Sequence, residues 1–117
     1  MLVPSALGRQ LYVKGSLRNT PRGFQWTMRN TLASGALLGL GPLEVDGKIY
    51  PPGRVTLRLL GTTIKAAEIK APLEFPEGAE VTIEVEGEPL VEGEHEILLR
   101  LHIQGLGEIG VSIRDEI

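Results

Sequence analysis

The segment Ala79–Ile113, AEVTIEVEGEPLVEGEHEILLRLHIQGLGEIGVSI, carries the clearest β pattern in the chain. Apolar residues occupy every second position in three runs, which glycine-containing turns separate. These positions are Val81, Ile83, Val85, Ile97, Leu99, Leu101, Ile103, Ile109, Val111 and Ile113. Because successive side chains of a strand point to opposite faces of a sheet, this alternation predicts three strands that each bury one face.

The N-terminal part of the chain predicts a β-hairpin after an irregular start. Residues 1–9 contain proline and glycine and show no period, so we expect an extended arm or loop there. Residues 11–18 and 24–29 both alternate in polarity, and the cluster 19–23 between them is rich in turn-forming residues. The two runs are therefore expected to pair as neighbouring strands, with Leu17 opposite Phe24.

This pairing also fixes the expected neighbours of Trp26 and Asn30. Gly15 falls opposite Trp26, whose indole can cover the backbone that a glycine leaves bare. Asn30 falls near Leu11 on the inner face. A buried amide needs its hydrogen bonds satisfied, so we expect Asn30 at a strand end rather than in a polar binding site.

The middle of the chain combines a glycine-rich stretch with a well-marked hairpin. Residues 33–42, ASGALLGLGP, are small and glycine-rich, which is explained either by geometry at a sheet edge or by close approach of a ligand. Leu43–Tyr50 predicts a hairpin, because Asp46-Gly47 supplies the positive φ angles that a type I′ turn requires.

The next segment predicts further short strands. Residues 55–59 alternate as a strand, and the turn Gly61-Thr62 leads into a second strand that contains Ile64 and Ala66. Residues 65–71, KAAEIKA, fit a short helix by propensity and equally fit a continuing strand. Residues 72–78 are expected to form a loop.

Eight or nine short strands at a spacing of roughly 8–12 residues are typical of a β-sandwich or a β-barrel, and the likeness described next favours the sandwich. We therefore predict an all-β fold, an antiparallel sandwich of immunoglobulin-like or Greek-key type, in a single domain that spans residues 1–117. The segment Pro89–Ile97 is similar to the connection into the penultimate strand of many immunoglobulin-like domains. This likeness supports the sandwich and implies no function.

Composition excludes several classes of site. The 117 residues contain no cysteine, which removes disulfides, thiolate nucleophiles and cysteine-ligated zinc. The N-terminus lacks the basic and apolar regions of a signal peptide, and no run reaches the ~20 apolar residues of a membrane span. We expect a cytoplasmic protein without membrane contact. Abundant Glu and Arg with few Asn, Gln and Met resemble thermophile composition.

Charge is distributed unevenly along the chain. Residues 1–70 hold ten Lys or Arg and three acids, whereas residues 71–117 hold two Arg and twelve acids. Three arrangements would explain this: basic strands that lie beside acidic strands and neutralise them, a charged subunit interface, or a basic surface for an anionic ligand. Nucleic acid is a poor candidate for that ligand because the chain has only five aromatic residues for stacking.

A small group of residues provides the candidates for catalysis. His95 stands between Glu94 and Glu96 at the start of a strand, with the parity of the core face, and nearby carboxylates are the usual partners in acid–base chemistry. The plainer interpretation is a strand-end histidine held by carboxylates. His102 lies on the opposite face, so the two histidines cannot share a metal. We expect no metal and no cofactor.

A second group provides candidates for ligand binding. Arg18 and Arg22 flank one turn, and Arg29 with Trp26 follows on the next strand, so that the four could frame a small anionic or sugar-like ligand. The parity of Trp26 equally fits a core position.

Two segments resemble the small β subunit of C-glycoside deglycosidases and related small β-sandwich proteins. They are Gly23-Phe24-Gln25, followed by the glycine- and leucine-rich stretch into Leu43–Gly47, and Gly93–Glu96 at the start of a long strand. The resemblance implies a β-sandwich accessory subunit beside a larger metal-dependent catalytic subunit, and it transfers no catalytic residue. This chain is shorter than that family between Tyr50 and Phe75.

Taken together, these features favour a non-enzymatic β-sandwich subunit or scaffold, which acts by forming a homo-oligomer or by docking to a larger catalytic protein. Two alternatives stay open. One is a small sugar-processing hydrolase or lyase that uses His95, and the other is a module that binds an anionic ligand through its arginines.

Overall fold

The computed structural model describes residues 5–117, with side chains from residue 8 onward. One helix and eleven strands follow one another along the described chain, and two 3₁₀ turns lie between them. In order, the elements are α1 (Ser5–Leu11), β1 (Arg18–Thr20), β2 (Gly23–Arg29), β3 (Gly35–Leu40), β4 (Leu43–Val45), β5 (Lys48–Tyr50), a 3₁₀ turn (Pro52–Arg54), β6 (Val55–Leu59), β7 (Thr62–Lys65), a second 3₁₀ turn (Ala66–Glu68), β8 (Leu73–Phe75), β9 (Glu80–Glu86), β10 (Glu94–Ile103) and β11 (Gly107–Glu116).

Two antiparallel sheets form a sandwich, which confirms the predicted fold class. The first sheet has the order β1-β2-β9-β6-β7. The second has β10 at its centre, with β11 along one side and β3 and β4 along the other, while β8 and β5 continue outward from β3 and β4. The described residues form eleven strands rather than eight or nine, because several strands have only three residues.

The core lies between the sheets and consists of the alternating apolar residues. Phe24 and Trp26 of β2 are fully buried, as are Leu99 of β10 and Val111 of β11. Phe24 and Trp26 stack with ring centroids 6.4 Å apart. The three C-terminal runs form β9, β10 and β11, so the predicted strands are confirmed, and burial of their apolar faces supplies the main driving force for folding.

The N-terminal segment differs from the prediction. Residues 5–11 form a helix rather than an arm or loop, and residues 1–4 of the predicted arm lie outside the described part of the chain. Tyr12 makes an isolated bridge to Met28, and Val13 N donates to Thr27 O of β2 at 3.0 Å before the chain turns at Gly15 and enters β1.

The register of the first hairpin differs from the prediction by two residues. Asn19 lies opposite Phe24, the position expected for Leu17, and Arg18 lies opposite Gln25. Gly15 belongs to the turn between Tyr12 and β1, so the expected Gly15–Trp26 pair does not form. The prediction assumed one uninterrupted strand over 11–18, whereas the structure interrupts it.

This interruption is stabilised by contacts between distant parts of the chain. The Tyr12 hydroxyl donates to Asp115 Oδ2 at 2.5 Å and accepts from Leu17 N at 3.1 Å, and Gly15 N donates to the same carboxylate at 2.9 Å. Gly15 turns the chain at φ 81°. Burial, followed by the bond to Asp115, raises the pKa of Tyr12 to about 12.

Several local predictions are confirmed and one strand was missed. Asp46 and Gly47 have φ 51° and 85°, as the predicted two-residue hairpin turn requires. Residues 66–68 form a 3₁₀ turn, close to the short helix that propensity allowed. The predicted loop 72–78 contains β8, which pairs with β3.

The β6–β7 turn contains a residue that is poorly suited to its backbone conformation. Leu60 has φ 51° and its side chain is 62% exposed, while Gly61 beside it has φ 78°. The left-handed conformation costs most L-residues roughly 1–2 kcal/mol, and asparagine tolerates it better. No burial of the Leu60 side chain offsets that cost.

We predict that Leu60→Asn raises the free energy of unfolding by about 0.5–1 kcal/mol, measured by urea denaturation. Leu60→Ala is the control, because it removes the same exposed side chain without relieving the backbone. Equal stability of the two variants would contradict this explanation.

Candidate functional site

His95, the strongest catalytic candidate in the sequence, is buried at the start of β10. Its side chain is 5% exposed. Ring atom Nδ1 lies 2.5 Å from Asp46 Oδ2, and Nε2 lies 2.6 Å from the carbonyl oxygen of Val91. Both nitrogens are therefore engaged by the protein itself.

The partners of His95 define its charge. A carbonyl oxygen can only accept, so Nε2 must donate to Val91, and the ionised carboxylate of Asp46 likewise accepts from Nδ1. The bond to Asp46 raises the pKa of His95, and the N–H of Glu96, followed by His95, lowers the pKa of Asp46. At pH values below the raised pKa of His95, the pair is thus an imidazolium held by a carboxylate.

Local geometry explains how Asp46 reaches His95 across 49 positions of sequence. The β4–β5 turn holds Asp46 at the end of β4, which pairs with the first half of β10. Its second oxygen accepts from Glu96 N at 2.8 Å. Through its bonds to Asp46 and Val91, His95 therefore connects the β4–β5 turn and the β9–β10 loop to the start of β10.

The two glutamates beside His95 do not join it. Their side chains project from the other face of β10, where Glu96 lies 2.6 Å from Arg114 and Glu94 lies 3.5 Å from the same arginine. His95 also does not line the apolar pocket described below. The structure therefore does not bring these three candidates together around a cavity.

The candidate ligand-binding residues lie on different faces. Trp26 is fully buried between the sheets, and its indole nitrogen has no hydrogen-bond partner among the described residues. Arg29 lies on the outer face and pairs with Glu80 at 2.6 Å, while Arg18 and Arg22 are exposed near the β1–β2 turn. The four therefore do not frame one pocket.

Acidic and basic side chains alternate on the outer face of the first sheet. The acidic strand β9 lies between β2 and β6. Arg58 of β6 contacts Glu84 at 3.2 Å, and Arg29 of β2 contacts Glu80. Neutralisation between neighbouring strands, the first of the three predicted arrangements, is thus present on this face.

Residues 5–117 contain neither a cluster of metal-ligating side chains nor a helix that could span a membrane. Within this range, no group of three or more His, Cys, Asp and Glu side chains is placed to hold a metal ion. The single α-helix in the same range is too short to cross a membrane.

An apolar pocket of about 210 Å³ lies at the end of the sandwich where β2 leads into β3 and β10 turns into β11. Residues 33–36 of its wall belong to the glycine-rich stretch 33–42, for which the sequence left both sheet-edge geometry and close approach of a ligand open, whereas the rest of the wall was not among the sequence candidates. Its rim contains Leu32 and Leu106, which are 51% and 65% exposed. Leucines inside turn segments were the signal that could have indicated it, since turns are usually polar.

Comparison with models of protein families identifies the family of this chain. The model for the hydroxymethylglutaryl-CoA reductase N-terminal domain matches residues 7–117. The chain belongs to this family. No curated protein matches the sequence.

The family membership corrects the resemblance to C-glycoside deglycosidase β subunits, which is wrong. The segments that suggested it have a general structural cause. Leu43–Gly47 is a strand with a type I′ turn, and Gly93–Glu96 is a glycine turn that enters a strand. Such patterns recur in unrelated antiparallel sheets.

The His95–Asp46 pair predicts how stability depends on pH. The pKa of His95 is raised above its ordinary 6.5. Its contribution to the free energy of unfolding is therefore complete below pH 6.5 and is lost as the pH rises through the folded-state pKa. Because the pKa of Asp46 is lowered below 3.8, its contribution is present above that pH and is lost as pH falls through the folded-state value.

We expect His95→Gln to lower the free energy of unfolding at pH 6 by on the order of 1 kcal/mol, since Asp46 is nearly half exposed and solvent weakens the pair. The loss should shrink above the folded-state pKa of His95. Urea denaturation from pH 5 to 9 measures this. His102→Gln, on the exposed face of β10, is the matched control, and an identical effect of both variants would refute the assignment.

Proposed function

We propose that this chain is a non-enzymatic β-sandwich domain or subunit that docks to a larger catalytic protein, and that this protein is a hydroxymethylglutaryl-CoA reductase. The family match carries the proposal. It covers residues 7–117, and its description names the N-terminal domain of that enzyme. The proposal places the chain in the cytoplasm, which its lack of cysteine supports.

The engagement of the reactive side chains supports a non-enzymatic role. His95 uses both ring nitrogens to bind Asp46 and Val91, and Tyr12 uses its hydroxyl to bind Asp115 and Leu17. A general acid or base must reach a substrate proton from a cavity. These groups instead tie separate segments of the fold together.

Self-association is the second way in which such a domain can act. Closed symmetric oligomers are the usual assemblies of soluble proteins, and the edges of a sandwich are suitable surfaces. A homo-oligomer is compatible with docking, because a symmetric core can carry several copies of a catalytic partner.

The test is sedimentation velocity of the purified chain, alone and mixed with the catalytic region of a hydroxymethylglutaryl-CoA reductase from the same organism. We expect a new species with the combined mass. A chain that stays monomeric in low and high salt and leaves the reductase free would contradict the proposal.

A further inference from the structure

The apolar pocket lies where the segment after β2 meets the β10–β11 turn. Its wall includes Leu11 at the end of α1, Phe75 of β8 and Ile103 of β10. The exposed Leu32 and Leu106 belong to the two turns at its mouth. The space thus leads from an apolar rim toward the core.

The polar groups in the pocket wall are already satisfied. Asn30 Nδ2 donates to the carbonyl oxygens of Ala33 and Phe75, both at 2.8 Å, and Oδ1 accepts from Leu32 N at 3.2 Å. Ser34 Oγ accepts a hydrogen bond from Glu77 N at 2.9 Å. An ordered water needs two to four polar partners, so this wall is poorly suited to hold water.

A smaller space continues inward from the pocket. Its volume is about 40 Å³, and it shares Leu11, Phe75 and Ile103 with the outer space. Arg29 also borders it, but its guanidinium contacts Glu80. The aliphatic stem of an arginine can cover apolar surface while its head stays in solvent, so the inner space is apolar too.

The volume of the pocket and its apolar lining define the class of ligand that it can hold. An apolar cavity of roughly 150 Å³ in another protein binds benzene. The outer pocket, at about 210 Å³, exceeds that volume, and none of the described residues that line it is charged. We propose that this pocket binds a small, uncharged apolar molecule of benzene size or slightly larger. This proposal is independent of the docking function.

Benzene is the probe, and backbone amide shifts in NMR spectra of the ¹⁵N-labelled chain are the readout. We expect saturable shifts confined to the pocket wall. Gly35→Leu should lower affinity about tenfold or more, because a Cβ at Gly35 lies 3.8 Å from Ile103 and the longer side chain extends into the space. Gly39→Leu on the same strand is the control, since its Cβ meets nothing within 4 Å.

A second pair keeps the test informative if Gly35→Leu does not fold. Leu106→Asp places a charge at the mouth and should weaken benzene binding, whereas Ile49→Asp, at a similarly exposed position on β5, should not. Absence of saturable shifts in the wild-type chain would overturn the proposal. Equal affinity of Leu106→Asp and Ile49→Asp would also overturn it, as would shifts located away from the pocket.

Discussion

The pairing of β10 with its neighbours is the constraint on which the rest of the structure depends. All ten residues of β10 pair with β11, and the opposite edge of β10 pairs with β3 and β4. A slip of one residue would turn the apolar face of the strand to solvent, so burial fixes the register. The same register places His95 inside and Glu94 and Glu96 outside.

Two carboxylates then connect this central pair to the rest of the chain. Asp46 joins the β4–β5 turn to His95, and Asp115 of β11 holds Tyr12 and Gly15 after the N-terminal helix. Burial raises the pKa of Asp115, but the hydrogen bonds from Tyr12 and Gly15 outweigh it, so the net direction is down. Each carboxylate therefore remains charged while it organises a loop.

Structure that local pattern determines could be predicted from the sequence, and structure that distant contacts determine could not. The alternation in 79–113 indicates β9, β10 and β11, and Asp46-Gly47 indicates a turn, because period and φ preference are properties of neighbouring residues. The parity of His95 indicates burial, but its partner Asp46 is distant in sequence.

Helix α1 packs against β11, and a Cβ on Gly8 would lie 2.5 Å from the Ser112 carbonyl oxygen. The position of the helix therefore depends on a strand at the other end of the chain. The pocket likewise arises only when the segment after β2 meets the β10–β11 turn, which is distant from it in sequence.

Amide hydrogen exchange measured by NMR tests the central role of β10 most directly. Amides that open only with global unfolding exchange most slowly. If β10 is the centre of the fold, the amides of Ile97, Leu99 and Leu101 should be among the slowest in the chain, and those of the edge strands β7 and β8 should exchange faster. Faster exchange in β10 than in β7 and β8 would contradict this central role.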